Sequence, residues 1–276
     1  TMPQDALGSE ESARLKSELL LLNAKSLISR GNAESAFELL TRIRTEFQES
    51  VAAQRTYFTE AAYHASVGDF ASAQSILVSF ADEYSESILV SQALFQAALH
   101  CQTRGPDHYR EAVVLLDRLV QSDQGSELAY QAGLKQGDLL RLMNDFAGAQ
   151  LIYENLINSY PSHRLRYAAE LSRADCIAAL AQGSDSQLLE AIGVLERLVD
   201  RPDLPVEVQI EAGYKWGNIL QRNDDREAAI TVYGLVASRY LLDAQNASAL
   251  TTVGRYWLSR TVFSLGSMME ESQEPE

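Results

Sequence analysis

Cysteine is scarce in this chain. Two among 276 residues, Cys101 and Cys176, are too few for a disulfide framework, and their spacing fits no metal site. Proline is scarce too, at 6 residues, so little interrupts helices, and the abundance of Leu and Ala favours them. The four histidines, His64, His100, His108 and His163, form no His-x-x-x-His pair. His100 adjoins Cys101, but neighbouring helical residues point about 100° apart, which disfavours a shared metal. Packing in a core or groove is the expectation for both. No apolar run approaches the roughly 20 residues that cross a bilayer. Gly-x-Gly-x-x-Gly, phosphate-loop and Gly-x-Ser-x-Gly patterns are missing. No catalytic residue, cofactor or metal is expected.

Positive charge is short as well. Lys and Arg number 23 against 38 Asp and Glu, for a net charge of −15. Nucleic acid and anionic membranes repel such a surface unless basic residues cluster, and here they are scattered. The acidity serves solubility, or else a basic partner. With 46% hydrophobic and 22% charged residues, the composition is that of a folded protein.

What the chain does contain is repetition. "GDFASAQSILVSFADEYSES" (68–87) opens on a turn and continues as an amphipathic helix closed by an aromatic. Its Ala73, followed at +3 and +4 by Ile76 and Leu77, has counterparts in Ala36, Ala112, Ala149, Ala191 and Ala229. These anchors stand 37, 39, 37, 42 and 38 residues apart, a period that marks solenoid arrays. At +11 come Phe47, Tyr84, Tyr160 and Tyr240, with Asp123 and Pro202 in the other two copies. Five residues before the anchor come Gly31, Gly68, Asn144 and Asp224, residue types that end helices and make turns. Extra residues at 104–109 and 182–187 fall in the same turn.

A second helical run precedes each turn, with a small residue at a fixed level: Ala24, Ala61, Ala98, Gly137, Cys176 and Gly217. Small residues at matched heights let paired helices approach closely. The unit is helix, turn, helix, repeated six times. First helices are predicted near 12–29, 51–67, 88–103, 127–142, 165–181 and 207–222. Second helices are predicted near 33–48, 71–85, 108–121, 146–159, 187–199 and 226–240. The run 247–271 is expected to cap the last apolar face. The two cysteines then lie on first helices two repeats apart, roughly 20 Å at 8–10 Å per helix contact. A disulfide needs Cα atoms within about 7 Å, so two buried thiols are expected.

These residues resemble tetratricopeptide repeats. The family pattern is a small residue in the first helix, a Gly-Asp-aromatic turn, then Ala and a late aromatic, often with Pro after it. "GDF" at 68–70 with Ala73, and "NDFAGAQ…SYP" at 144–161, match it. The fifth copy departs, lacking both aromatics, and the first has Ala33 at the turn aromatic. The resemblance implies an all-α, right-handed α-solenoid of about six helix pairs plus a C-terminal capping helix. As domains it implies one superhelical unit over 11–271, with residues 1–10 disordered or foreign to the fold and a frayed tail at 272–276. The polar start "TMPQDALGSEES" shows no signal-peptide pattern, and Thr before Met suggests a piece cut from a longer chain.

The endings "FADEYSES" and "LINSYPSH" resemble the bacterial cell-envelope subgroup, which includes outer-membrane assembly lipoproteins and the periplasmic Tol–Pal coordinator. That implies a periplasmic or envelope location, with the cytoplasm as alternative. The implied function is a non-catalytic scaffold that holds a peptide or helix of another protein in a concave groove. Self-association, through the run "YWLSRTVF" (256–263), is the alternative. A helical accessory part of a larger enzyme is a third reading.

In the family, first helices line the inner wall. Positions three before and one and four after the small residue give Phe58, Phe95, Leu99, Leu134, Asp138, Arg141, Arg173, Ile177, Tyr214, Asn218 and Gln221. Aromatics and Arg dominate binding hot spots. The partner-binding candidates are therefore Phe58, Phe95, Asp138, Arg141, Arg173, Tyr214 and Asn218, with Tyr214 and Arg173 expected to be exposed. Phe58 and Phe95 have an alternative role, packing between repeats. Glu60, Asp138 and Asp175 are read as solvated or groove-lining charges. The Lys-Asn-Arg carboxylate clamp of the chaperone-tail members has no counterpart here.

Overall fold

A computed structural model describes residues 4–181, 184–242, 247–248 and 250–271. The helices are α1 (Gln4–Ser29), α2 (Ala33–Glu46), α3 (Val51–Ser66), α4 (Phe70–Glu83), α5 (Val90–Arg104), α6 (Tyr109–Ser122) and α7 (Glu127–Leu142). They continue with α8 (Phe146–Ser159), α9 (Arg166–Leu180), α10 (Asp185–Val199), α11 (Val206–Arg222), α12 (Arg226–Ala237) and α13 (Thr252–Glu271). No strand occurs among the described residues.

Helix boundaries follow the repeat with small shifts. α1 begins at Gln4 rather than near 12, within the stretch expected to be disordered. α12 stops at Ala237 and passes into a π-turn over Ser238–Leu242, instead of running to 240. The tail 272–276 lies outside the described residues.

Each turn is built from its own sequence. Gly31 and Gly68 take φ of 81° and 83°, and Asn144 and Asp224 take φ of 60°. This left-handed conformation favours Gly, and Asn or Asp after it. The following residue, Asn32, Asp69, Asp145 or Asp225, accepts a hydrogen bond from a backbone N–H in the next helix's first turn, satisfying one of that helix's orphan donors. In the second hairpin the Asp69 N–H also donates to the His64 carbonyl at 2.8 Å, closing α3 in a Schellman-type turn.

The chain divides into two compact units, Thr1–Met143 and Asn144–Glu276. In the first, each helix from α1 to α7 packs on its chain neighbours, and among the first helices α1 also touches α3 and α5 touches α7. In the second, α8 to α12 repeat this pattern and α13 lies across α11 and α12. Every small residue singled out by the repeat is interior: Ala24, Ala61, Ala98, Gly137, Cys176 and Gly217 are buried, as are all six anchor alanines. Each unit is thus a stack of helix hairpins nested through small side chains, the α-solenoid architecture.

Aromatics close the hairpins. Phe47, Tyr84 and Tyr160 follow directly on the ends of α2, α4 and α8. Tyr84 stacks on Phe80 at 5.2 Å and meets the Tyr57 ring edge-on at 5.8 Å. Rings so placed add to burial an offset or edge-to-face contact of about 0.5–1.5 kcal/mol.

Candidate functional site

In the first unit, α1, α3 and α5 line a cleft of about 630 Å³. Phe58, Thr59, Ala62 and Tyr63 of α3 form its floor, with Lys25 and Ile28 on one side and Leu89, Gln92 and Gln96 on the other. Phe58 sits here because it lies on the side of α3 between the flanking first helices. Its ring meets Phe80 edge-on at 5.2 Å on the core side, so it serves both the core and the cleft. Lys25 is exposed and, among the described residues, has no ion-pair partner; Gln92 and Gln96 have no hydrogen-bond partner there.

A second, larger cleft of about 920 Å³ adjoins the first. It lies between α1 and the α2–α3 loop, with Leu15, Phe47 and Val51 as apolar lining. Arg55 lines both clefts, and its guanidinium is 3.4 Å from the Glu18 carboxylate across α1. The two clefts thus lie side by side along α1 and α3, with the Arg55–Glu18 pair between them. Carboxylates gather at the far end, from Glu10, Glu18, Glu46 and Glu49. Arg42 holds Glu46 at 2.7 Å, and that hydrogen bond draws the Glu46 pKa below its ordinary value.

The remaining candidates do not share this groove. Phe95 and the core cluster of the first unit pack together, which is the alternative reading given for it. Asp138 and Arg141 form an ion pair at 3.9 Å along α7. Leu99 and Leu134 are half-buried.

In the second unit the expected wall is largely covered. Tyr214 is only 8% exposed, contrary to expectation, because α13 lies over it. Its ring is 5.4 Å from that of Trp257, and the Arg260 guanidinium stands 4.8 Å above it. Ile177 is also buried, in the core of this unit. Gln221 is exposed but accepts a hydrogen bond from the Tyr233 hydroxyl at 3.1 Å. Burial pushes the Tyr233 hydroxyl up to about 12, and Asn218 is half-buried.

Arg173, expected to be exposed, reaches α10 and pairs with Glu190 at 2.6 Å. It lines a pocket of about 270 Å³ with Arg166, Arg197, Arg201 and Glu170. Two of these guanidinium groups are already committed: Arg166 Nε lies 3.1 Å from Glu170, and Arg201 is 2.8 Å from Asp203.

Carboxylates read as solvated or groove-lining turn out to tie helices together. Glu60 pairs with Arg44 of α2, whose guanidinium lies 4.0 Å over the Tyr57 ring. Asp175 pairs with Lys215 at 2.8 Å, between adjacent first helices. Arg44 could not be singled out from sequence, because no other copy has Arg at its repeat position; Lys215 has one counterpart, Lys135, but nothing in the spacing shows which carboxylates it meets. Among the described residues, no group of three or more His, Cys, Asp or Glu stands close enough to hold a metal ion. No helix among them is long and apolar enough to cross a membrane.

Comparison with known proteins gives one family match: the tetratricopeptide repeat, over residues 131–163. No curated protein matches the chain. Among solved structures, a MamA RS-1 double mutant is similar at 18% identity and a TM-score of 0.50, covering 66% of this chain and 92% of that one. A Podospora anserina putative kinesin light chain with tetratricopeptide-like repeats matches at 14% identity and a TM-score of 0.48, over 80% of this chain and 97% of that one. A tetratricopeptide repeat protein from Parabacteroides merdae matches at 15% identity and a TM-score of 0.41, over 94% and 89%. The first of these likenesses carries the fold, and the family match places a tetratricopeptide repeat at 131–163.

Proposed function

We propose that the chain is a non-catalytic scaffold that holds a segment of another protein in the groove of its first unit. The observation that carries this reading is the cleft on α1, α3 and α5, with half-exposed aromatics on its floor, unbonded amides on its rim and Arg55 shared with the cleft beside it. Gln92 and Gln96 offer donors and acceptors to a peptide backbone. Phe58 and Tyr63 offer ring surface to one or two apolar anchors. Lys25 and Arg55 favour an acidic residue between those anchors. An extended segment or an amphipathic helix, with an acidic residue between its apolar anchors, is the ligand class.

The endings of α4 and α8 support a further step, that the scaffold works in a bacterial envelope assembly. The experiment is selection from a displayed peptide library, followed by titration of the winners against the wild type and the Lys25→Glu/Arg55→Glu variant. Both side chains are exposed, so the fold should survive. The expected winners carry acidic and apolar residues and lose about tenfold or more in affinity for the variant. Equal affinity for both proteins would count against the groove.

A further inference from the structure

α13 is apolar on two faces. Its inner face, through Gly254, Leu258, Thr261 and Met268, is buried. The opposite face is not a polar one. Here that face carries Tyr256 at 54%, Val262 at 39%, Phe263 at 78% and Met269 at 48% exposure. Ser259 and Gly266 are the small residues between them, and a β-carbon added at Gly266 would meet nothing within 4 Å. Arg255 and Glu270 stand at opposite ends of the same face, both exposed.

We propose that this face binds a second copy of itself, as an antiparallel helix pair about a twofold axis between Val262 and Phe263. That register is the one in which the face complements itself. Val262 meets Phe263 of the second copy at the centre, and Tyr256 meets Met269 farther out. Ser259 meets Gly266 between these bulky pairs, so the axes approach closely. Arg255 meets Glu270 at each end, giving two ion pairs by symmetry. A parallel pair would set Arg255 against Arg255 and Glu270 against Glu270, which repel. A twofold contact also closes on itself, as most homo-oligomers do.

One helix from each copy buries less than the roughly 1,200 Å² of a stable complex. The dimer is therefore weak, with a Kd of roughly 1–100 μM. This inference does not depend on the groove of the first unit.

The test is sedimentation velocity of the 276-residue chain across that concentration range, with variants. The wild type is expected to shift from monomer to dimer. Phe263→Glu and Gly266→Arg are each expected to remain monomeric with unchanged circular dichroism. Leu19→Glu, on the separate exposed stripe Leu15, Leu19 and Leu22 of α1, is expected to dimerise normally. Mild oxidation should cross-link Val262→Cys to itself and leave Thr252→Cys monomeric; the native thiols are buried. A wild type that is monomeric throughout overturns the proposal. So does a dimer that survives Phe263→Glu, one that Leu19→Glu abolishes, or one that cross-links through Thr252→Cys.

Discussion

A β-carbon built on Gly217 would stand 2.4 Å from Cε1 of the Tyr233 ring. The first helix of that hairpin therefore has room for the tyrosine only because residue 217 has no side chain. The same exchange is visible along the sequence. Copies with Gly at this level, Gly137 and Gly217, carry Tyr153 and Tyr233 four residues after the anchor. Copies with Ala or Cys there carry Leu40, Leu77, Leu116 and Leu195. In the Gly217 hairpin, the volume given up by the first helix is taken by the second.

Gly217→Ala is accordingly expected to destabilise the protein by about 1–3 kcal/mol through overpacking. Gly217→Ala with Tyr233→Leu should recover most of that loss, since the two sites are in contact and cannot be additive. Urea unfolding of the two variants decides the matter. A single variant as stable as the wild type would mean the ring moves aside without cost.

A repeat register fixes what all copies share, and that part of the fold was legible in advance. The buried anchors, the left-handed turn residues and the helix ends lie close to where the spacing puts them. What differs between copies was not legible. Tyr214 sits at a wall position by register, but its surroundings depend on how α13 crosses α11, which no period encodes. Arg173 was placed correctly on its helix and wrongly in water, because an arginine can span to Glu190 on α10. Phe58 was legible in both of its roles, as core ring and cleft floor, because both follow from one edge of α3.

Lys215 is expected to be the charge whose loss is felt most. Its Nζ is 2.8 Å from Asp175 and 2.9 Å from Glu211. Burial opposes the ammonium charge, but the pull of the two carboxylates outweighs it, and the pKa is raised. A raised lysine pKa gives stability that is complete below the unfolded value of about 10.4 and is lost only at higher pH. Lys215→Met should leave two half-buried carboxylates facing each other and cost about 2–4 kcal/mol at neutral pH. A midpoint unchanged in urea would show that water screens them fully.

Histidine 100 gives the opposite sign. Burial lowers its pKa, and its ring lies 5.9 Å from that of Phe70. The unfolded chain takes up this proton near pH 6.5, the folded chain only below that. Its contribution is therefore lost as pH falls through 6.5 toward the folded value. His100→Gln should flatten the fall in stability between pH 7.5 and 5.5, measured against the wild type; parallel curves would refute it.

Both cysteines should be inert in the folded protein. Burial, with Glu111 nearby, pushes the Cys101 thiol up to about 12, and Cys176 is fully buried. A disulfide exchange reagent at pH 8 is expected to find no fast-reacting thiol in buffer and both in urea. Rapid reaction of either in buffer would place it at the surface.

The position of α13 has a bearing on synthesis as well as on the finished structure. Hairpins made of chain neighbours can form in the order in which they leave the ribosome. Tyr214 and Met268 share one core cluster, yet more than fifty residues of translation separate them. Until residues 252–271 emerge, the ring of Tyr214 has no lid, and that interval is when the nascent chain most needs a chaperone's cover.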